Sequence, residues 1–326
     1  MDLRRPDGVR LGLVSNARSE RNKRGLADIE RELAALGDLR HVLFDGTRPM
    51  AELLAELAAE GLDVLGINGG DGTVQAALTA LLEARPFAHQ PPVAILPRGM
   101  ANMTAADVGL RGSNAQALRR LTAAARSGEI ERHLVERHVL RVEGLRDCGP
   151  QRGMFLGAAA LCDAIRICKD QVHSLGLKGE ASHAVTLAWL LLNAGLRGLE
   201  AVGMHGHAIA LQIDDRPPER RQRLLLLATT LDRMVLGSRP FWNVDGAPVR
   251  LTAIAHPAIG LVRHAWQILY GPPQRNLPRE VFLSTGAERV RIELNSPVTI
   301  DGQFHMPEPG RDLEVTAAER VRFVRL

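Results

Sequence analysis

One carboxylate stands among three glycines in Gly69-Gly70-Asp71-Gly72-Thr73, directly after the apolar run Val64-Leu65-Gly66-Ile67. Glycine permits sharp turns and lets backbone N–H groups come close to an anion. The following residues, Val74 to Leu82, read as a helix. Its start adds unpaired N–H donors and the positive end of a dipole. Strand, glycine turn and helix together are a common way to hold phosphate. Phosphate alone wants no negative charge beside it, so Asp71 points to a metal, a hydroxyl to deprotonate, or a ribose. The same residues are also ordinary turn chemistry between a strand and a helix, and the loop alone leaves both readings open.

A second unit of the same kind follows. The apolar run Pro92-Val93-Ala94-Ile95-Leu96 leads into Pro97-Arg98-Gly99-Met100-Ala101-Asn102-Met103 and another helix. Two such loops on neighbouring parallel strands face each other at the carboxyl edge of a sheet, where open α/β folds place ligands. The pair resembles the catalytic domain of the diacylglycerol kinase-like lipid kinases, a family that includes sphingosine, ceramide and bacterial lipid kinases. Its pattern is a GGDGT loop and, further along, a Leu-Pro-x-Gly-Thr-x-Asn loop. Here Gly69–Thr73 is intact, and Leu96, Pro97, Gly99 and Asn102 match the second loop, with Met100 in place of its Thr.

The resemblance extends along most of the chain. Leu11 to Ser19 is similar to the family's first strand and Asn-Pro-x-Ser-Gly loop: Asn16 and Ser19 match, while Ala17 and Glu20 replace Pro and Gly. Val298-Thr299-Ile300-Asp301-Gly302-Gln303 resembles the Asp-Gly-Glu motif, with Gln303 in place of Glu. Phe155-Leu156-Gly157-Ala158-Ala159 and Val244-Asp245-Gly246-Ala247 fall in the order of weaker landmarks.

Phosphoryl transfer needs a cradle for nucleotide phosphates, a divalent cation and a base for the acceptor hydroxyl. The resemblance implies a lipid kinase that uses ATP and Mg2+ on a diacylglycerol- or sphingoid-like lipid at a membrane surface. It places Asn16, Ser19, Gly69, Gly70, Gly72, Thr73, Gly99 and Asn102 around the nucleotide, in a cleft between two domains. It makes Asp71 and Asp301 the candidate base and metal carboxylates, with Asp245 as a further metal candidate. Without the resemblance, Asp301-Gly302 reads as a hairpin turn and Asp245-Gly246 as an ordinary turn. The family also has Glu three residues after the GGDGT threonine, where this chain has Ala76. Gln303 still hydrogen-bonds but carries no charge for a cation. Loss of one transition-state charge contact costs on the order of 10²–10³ in rate. The alternative is therefore a weakly active or non-catalytic member that binds nucleotide or lipid. A nicotinamide-dinucleotide kinase also shares the GGDGT loop; Ser284-Thr285-Gly286-Ala287 is only a faint echo of its second glycine motif.

The elements that must position these residues fall into two regions. Strands at 9–15, 40–44, 64–67 and 92–96 alternate with helices at 24–36, 49–61, 74–82 and 114–127, which predicts right-handed crossovers and a Rossmann-like parallel sheet over residues 1–132. From His133 the pattern changes to period-2 strands bounded by Gly, Pro and Asp-Gly: 134–142, 154–161, 205–213, 223–230, 249–255, 289–294 and 312–316. That predicts an antiparallel β-sandwich domain over 133–309, interrupted by helices at about 179–199 and 258–270. The resemblance implies that the C-terminal strand, residues about 310–326, folds back toward the first domain.

Composition bounds the remaining possibilities. The chain has 326 residues, 45% hydrophobic, 24% charged and only 3% aromatic, so its cores must be built from Leu, Val, Ile and Ala. No apolar run reaches the roughly 20 residues of a membrane span. Residues 184–196 are apolar enough to read as core packing or a homodimer contact, with a lipid-facing flap as the alternative. The polar start Met1-Asp2-Leu3-Arg4-Arg5-Pro6 shows no secretory signal. Cys148, Cys162 and Cys168 make neither a disulfide framework nor a metal spacing, which fits a reducing cytoplasm; the resemblance implies a peripheral association with the inner membrane face. Lys23, Lys169 and Lys178 are the only lysines in a chain of net charge +4. This arginine excess reads first as biased base composition and second as weak attraction to anionic headgroups. No basic stripe interleaves with aromatics, so nucleic acid is not an expected partner. The histidine pairs His133/His138 and His205/His207 have no evident third ligand and read as structural.

Overall fold

Strands β1 (Leu11–Asn16) and β3 (Val64–Gly69) are buried along almost their whole length. A strand covered on both faces belongs inside a parallel sheet flanked by helices. A computed structural model of the chain describes residues 10–16, 29–32, 39–97, 103–165 and 204–326. It divides into two units: Met1–Arg137 with Arg320–Leu326, and His138–Glu319.

In the first unit β1 pairs in parallel with β2 (Leu39–Phe44) and β3, and β3 pairs in parallel with β4 (Val93–Pro97). The full order is β2-β1-β3-β4-β17-β5, with β5 at Leu134–His138 and β17 at Arg320–Val324. Helices α1 (Met50–Ala59) and α2 (Asp71–Glu83) pack on each other, burying Leu53, Leu54, Leu57, Leu78 and Leu81. Helix α3 spans Met103–Val108 and α4 spans Asn114–Arg126. Ser113 starts α4 with a reciprocal cap: its hydroxyl accepts from Gln116 N–H and its own N–H donates to Gln116 Oε1, the capping-box arrangement. Ala117 and Leu121 of α4 pack on Leu11, Leu13 and Val64. Residues 29–32 are helical within the helix expected at 24–36.

The second unit is built on an antiparallel sheet of eleven strands among the described residues. Its main path runs β15 (Gln303–His305), β14 (Val298–Ile300), β8 (Phe155–Ala159), β10 (Glu219–Thr229), β9 (His207–Ile213), β13 (Arg289–Glu293), β16 (Leu313–Thr316), β6 (Leu140–Glu143) and β7 (Gln151–Gly153). Strand β11 (Val249–Ala255) pairs with β10 and with β12 (Phe282–Ala287). The first half of β10 pairs with β9 and the second half with β8, with an irregularity between Arg223 and Leu225. The layers expected of a sandwich are thus parts of one hydrogen-bonded sheet that diverges at β10. Period-2 positions Ile209/Leu211, Leu226/Ala228, Val290/Ile292, Val298/Ile300 and Leu313/Val315 meet in one core. Helix α5 (Leu261–Tyr270) packs on a second cluster around Trp242 and Phe282.

Several elements differ from the sequence reading. The stretch 134–142 is not one strand: β5 joins the parallel sheet and β6 the antiparallel one, because the chain passes between units at residues 137–138. Residues 313–316 pair with β6 and β13, so the strand that returns to the first sheet is β17, starting at Arg320. Strands β7, β12 and β15 have no expected counterpart, since Gln-Arg-Gly and Gln-Phe-His are too short to show a period and β12 mixes Ser, Thr and Gly into its run. The expected helix at 179–199, with its candidate dimer contact or lipid flap, lies outside the described residues.

Candidate functional site

The strand order turns back at β1: the chain moves from β1 to β2 on one side, then to β3 on the other. In open α/β sheets the carboxyl ends of the two strands at such a reversal flank the ligand crevice. Here those ends are Asn16 on β1 and Gly69 on β3. Asn16 Nδ2 donates to Thr73 Oγ1 at 2.7 Å, bridging the switch point.

The glycine motif is tighter than a loop. Gly69 is the last residue of β3, paired with Pro97 of β4, and α2 already begins at Asp71. Gly70 is the whole connection, with φ −80° and ψ 178° as the N-cap. Gly72 and Thr73 thus belong to the first helical turn, where the sequence reading began the helix at Val74. Thr73 N–H and Val74 N–H are already satisfied by Gly70 O at 2.8 and 3.1 Å. The Thr73 side chain folds back over Gly69: a Cβ there would lie 2.5 Å from Thr73 Cβ and 2.6 Å from Oγ1. Only glycine fits that position without displacement.

Asp71 occupies the first position of α2, where a carboxylate complements the dipole. Its two oxygens also accept from Met103 N–H and Thr104 N–H, each at 3.4 Å, at the start of α3. The carboxylate therefore ties the two glycine-bearing units together. The far end of α3 is anchored by the Asp107–Arg137 ion pair at 3.1 Å, which reaches β5.

Beneath the edge runs a buried polar chain that the sequence reading missed. Asn68 Nδ2 donates to Ser15 Oγ at 2.9 Å, and Asn114 Nδ2 donates to Asn68 Oδ1 at 3.1 Å. It links β1, β3 and the first residue of α4. Buried amides must be paired, and a paired set fixes one geometry. The available signal was an Asn inside an otherwise apolar strand, one residue ahead of the glycines.

Of the expected nucleotide residues, Asn16, Gly69, Gly70, Gly72 and Thr73 come together at this edge, with Asp71 among them. Ser19, Gly99 and Asn102, and Met100 beside them, lie outside the described residues.

The remaining candidates belong to the second unit. Asp301 and Gly302, at φ 47° and 82°, form the two-residue turn between β14 and β15, a type I′ hairpin. Asp301 is 2% exposed, and Met154 N–H donates to Oδ1 and Oδ2 at 3.2 and 3.0 Å. Gly153 leaves the room: a Cβ there would meet Asp301 Oδ2 at 2.8 Å. Gln303 is exposed. Asp245 is exposed in the loop that crosses β12 at Gly286, whose added Cβ would touch Ala247 Cβ at 2.7 Å. That glycine sits inside a paired strand, so Ser284–Ala287 makes no phosphate loop. His207 Nε2 lies 3.6 Å from Asp163 Oδ2, and His138 Nδ1 is 2.6 Å from Ala317 O. No three His, Cys, Asp or Glu side chains among the described residues are arranged to hold a metal.

No curated protein sequence matches the chain. Residues 10–131 match the family model of the diacylglycerol kinase catalytic domain. The fold is similar to that of a diacylglycerol kinase from Bacillus anthracis str. Sterne, at TM-score 0.61 and 16% identity over 98% of each chain. Two further solved structures from the same strain match at TM-score 0.66 and 16% identity, covering 98% and 99% of each chain. Residues 10–131, with the switch-point glycines at their centre, are thus similar to the diacylglycerol kinase catalytic domain.

Proposed function

We propose that the protein is an ATP-dependent lipid kinase that phosphorylates the hydroxyl of a diacylglycerol- or sphingoid-like lipid. The observation that carries the reading is the Gly69–Thr73 turn at the carboxyl end of β3, bridged to β1 by the Asn16–Thr73 hydrogen bond at 2.7 Å. Gly70, lacking a side chain, gives phosphate oxygens close access to the first turn of α2. Asn16, Gly69, Gly72 and Thr73 line that approach, and Ser19, Gly99 and Asn102 are assigned to it through the family pattern.

Magnesium binds through one or two carboxylates together with substrate phosphates and water, so a cluster of three protein ligands is not required. Asp71 fits that donor set, standing beside the glycine turn; Asp301 and Asp245 are the family-derived candidates in the second unit. When bound, the cation would neutralise phosphate charge. Asp71 and Asp301 are also the candidates for taking the acceptor proton, and the acceptor would be drawn from a membrane surface by a cytoplasmic protein.

The buried state of Asp301 and its double contact with Met154 N–H favour a second reading, a weakly active or non-catalytic nucleotide-binding member. Ala76 and Gln303 support it by removing charge. Incubation with labelled ATP, Mg2+ and a panel of diacylglycerols and sphingoid bases tests the first reading. The expected result is turnover that disappears in Asp71→Asn. Equal signal in wild type and variant would reject the assignment of the site. A large gain in Ala76→Glu/Gln303→Glu would identify a decayed enzyme.

A further inference from the structure

Helix α5 is apolar on two faces, and only one is covered among the described residues. Leu261 and Ile268 pack on the cluster of Trp242, Ile254 and Phe282, and the His264 ring meets Phe282 edge-on at 5.6 Å. On the outer face Val262, Trp266 and Tyr270 recur at every fourth position, led by Ile259 just before the helix. Trp266 is 75% exposed, Ile259 74% and Val262 47%. The Trp266 and Tyr270 rings touch, with centroids 4.6 Å apart. Isolated exposed apolar residues are ordinary, but a helical stripe carrying a tryptophan marks an interaction face.

The sequence around the helix is predominantly basic. From Arg233 to Arg279 the chain has six arginines and one acidic residue, Asp245, with Asp232 and Glu280 at its borders. Arg250 is neutralised by Asp232 at 2.6 Å. Arg275 is buried and donates to the carbonyls of Ile268, Gly271, Pro272 and Arg239, with its guanidinium 5.3 Å over the Trp242 ring. It thereby closes the C-terminal end of α5 and fixes the helix in place. Arg263 is exposed and flanks the stripe.

We propose that the outer face of α5 docks the protein on an anionic lipid bilayer, with Ile259, Val262 and Trp266 at the headgroup–acyl boundary and Arg263 on the lipid phosphates. Tryptophan and tyrosine favour that boundary. An amphipathic helix lying in the plane gains from both apolar burial and cationic contacts. A two-fold pairing of this face with a second copy would add a second Arg263 and no carboxylate of the helix to offset the charge. The proposal deepens the lipid-kinase reading and rests on it for its purpose, since the acceptor then resides in a bilayer.

The test is co-sedimentation of the full chain with vesicles of phosphatidylcholine, with and without phosphatidylglycerol. The expected result is binding to the mixed vesicles, about tenfold weaker in Ile259→Ser/Trp266→Ser and no longer selective for phosphatidylglycerol in Arg263→Glu. Unchanged melting temperatures would exclude misfolding at these exposed positions. Failure of the wild type to sediment, or equal sedimentation of the double variant, overturns the proposal. So does a wild-type dimer that the double variant dissolves while vesicle binding stays unchanged. Phosphorylation of a short-chain, monomerically dispersed diacylglycerol separates the two readings. Transfer without vesicle binding sinks the docking surface alone; stripe-dependent vesicle binding without transfer supports it and sinks the kinase alone.

Discussion

Thr73 lies over Gly69 so closely that a Cβ on Gly69 would stand 2.5 Å from Thr73 Cβ. The strand end, the one-residue connection and the first helical turn are therefore a single packed object, and the hydroxyl that Asn16 holds is part of it. Gly69→Ala should cost about 1–3 kcal/mol through overpacking. It should also abolish the thermal shift produced by nucleotide, because Thr73 must move. Urea unfolding and a thermal-shift titration with ATP and magnesium check the two effects separately.

Asp71 has a mechanical task that can be separated from its charge. Asp71→Asn keeps an acceptor oxygen for the α3 N–H groups, whereas Asp71→Ala removes it. The alanine variant should lose about 0.5–1 kcal/mol of stability, at the low end for an N-terminal acceptor because both contacts are 3.4 Å long. The asparagine variant should stay close to wild type in stability while phosphoryl transfer falls by on the order of 10² or more. Equal activity of Asp71→Asn and wild type would leave the carboxylate with only its structural task.

Asp301 admits the same separation. Asn tolerates the left-handed conformation at φ 47° and can accept from Met154 N–H. Asp301→Asn should therefore retain stability to within about 1 kcal/mol. Asp301→Ala leaves a buried N–H unpaired and should cost about 1–3 kcal/mol. A kinase that uses this carboxylate loses turnover in both variants; one that uses only the turn loses it in neither beyond the effect of unfolding.

Burial lowers the pKa of His305 from its ordinary value of 6.5. The unfolded chain thus binds this proton more readily than the folded one. Stability is complete above about pH 6.5 and declines as pH falls from there toward the depressed folded value. His305→Gln should flatten that part of the stability–pH curve, measured by denaturant midpoints across pH 5–8; an unchanged slope would assign the acid sensitivity to other groups.

Local chemistry along the chain carried a great deal. Continuous apolar strands alternating with amphipathic helices specify a covered parallel sheet, and period-2 runs such as Val290/Ile292 specify a sheet with one buried face, because side-chain direction follows backbone period. The Gly69–Thr73 motif was legible for the same reason: each residue's conformational freedom is written in its type. Three-dimensional placement decided the rest. That residues 134–142 split between two sheets, that Asn68 joins Ser15 to Asn114, and that Asp71 and Asp301 each accept backbone N–H groups from distant segments all depend on partners far away in the sequence. Such contacts leave no period in the sequence. They exist only once packing has brought the segments together, and it is packing that decides whether a carboxylate caps a backbone or faces a ligand.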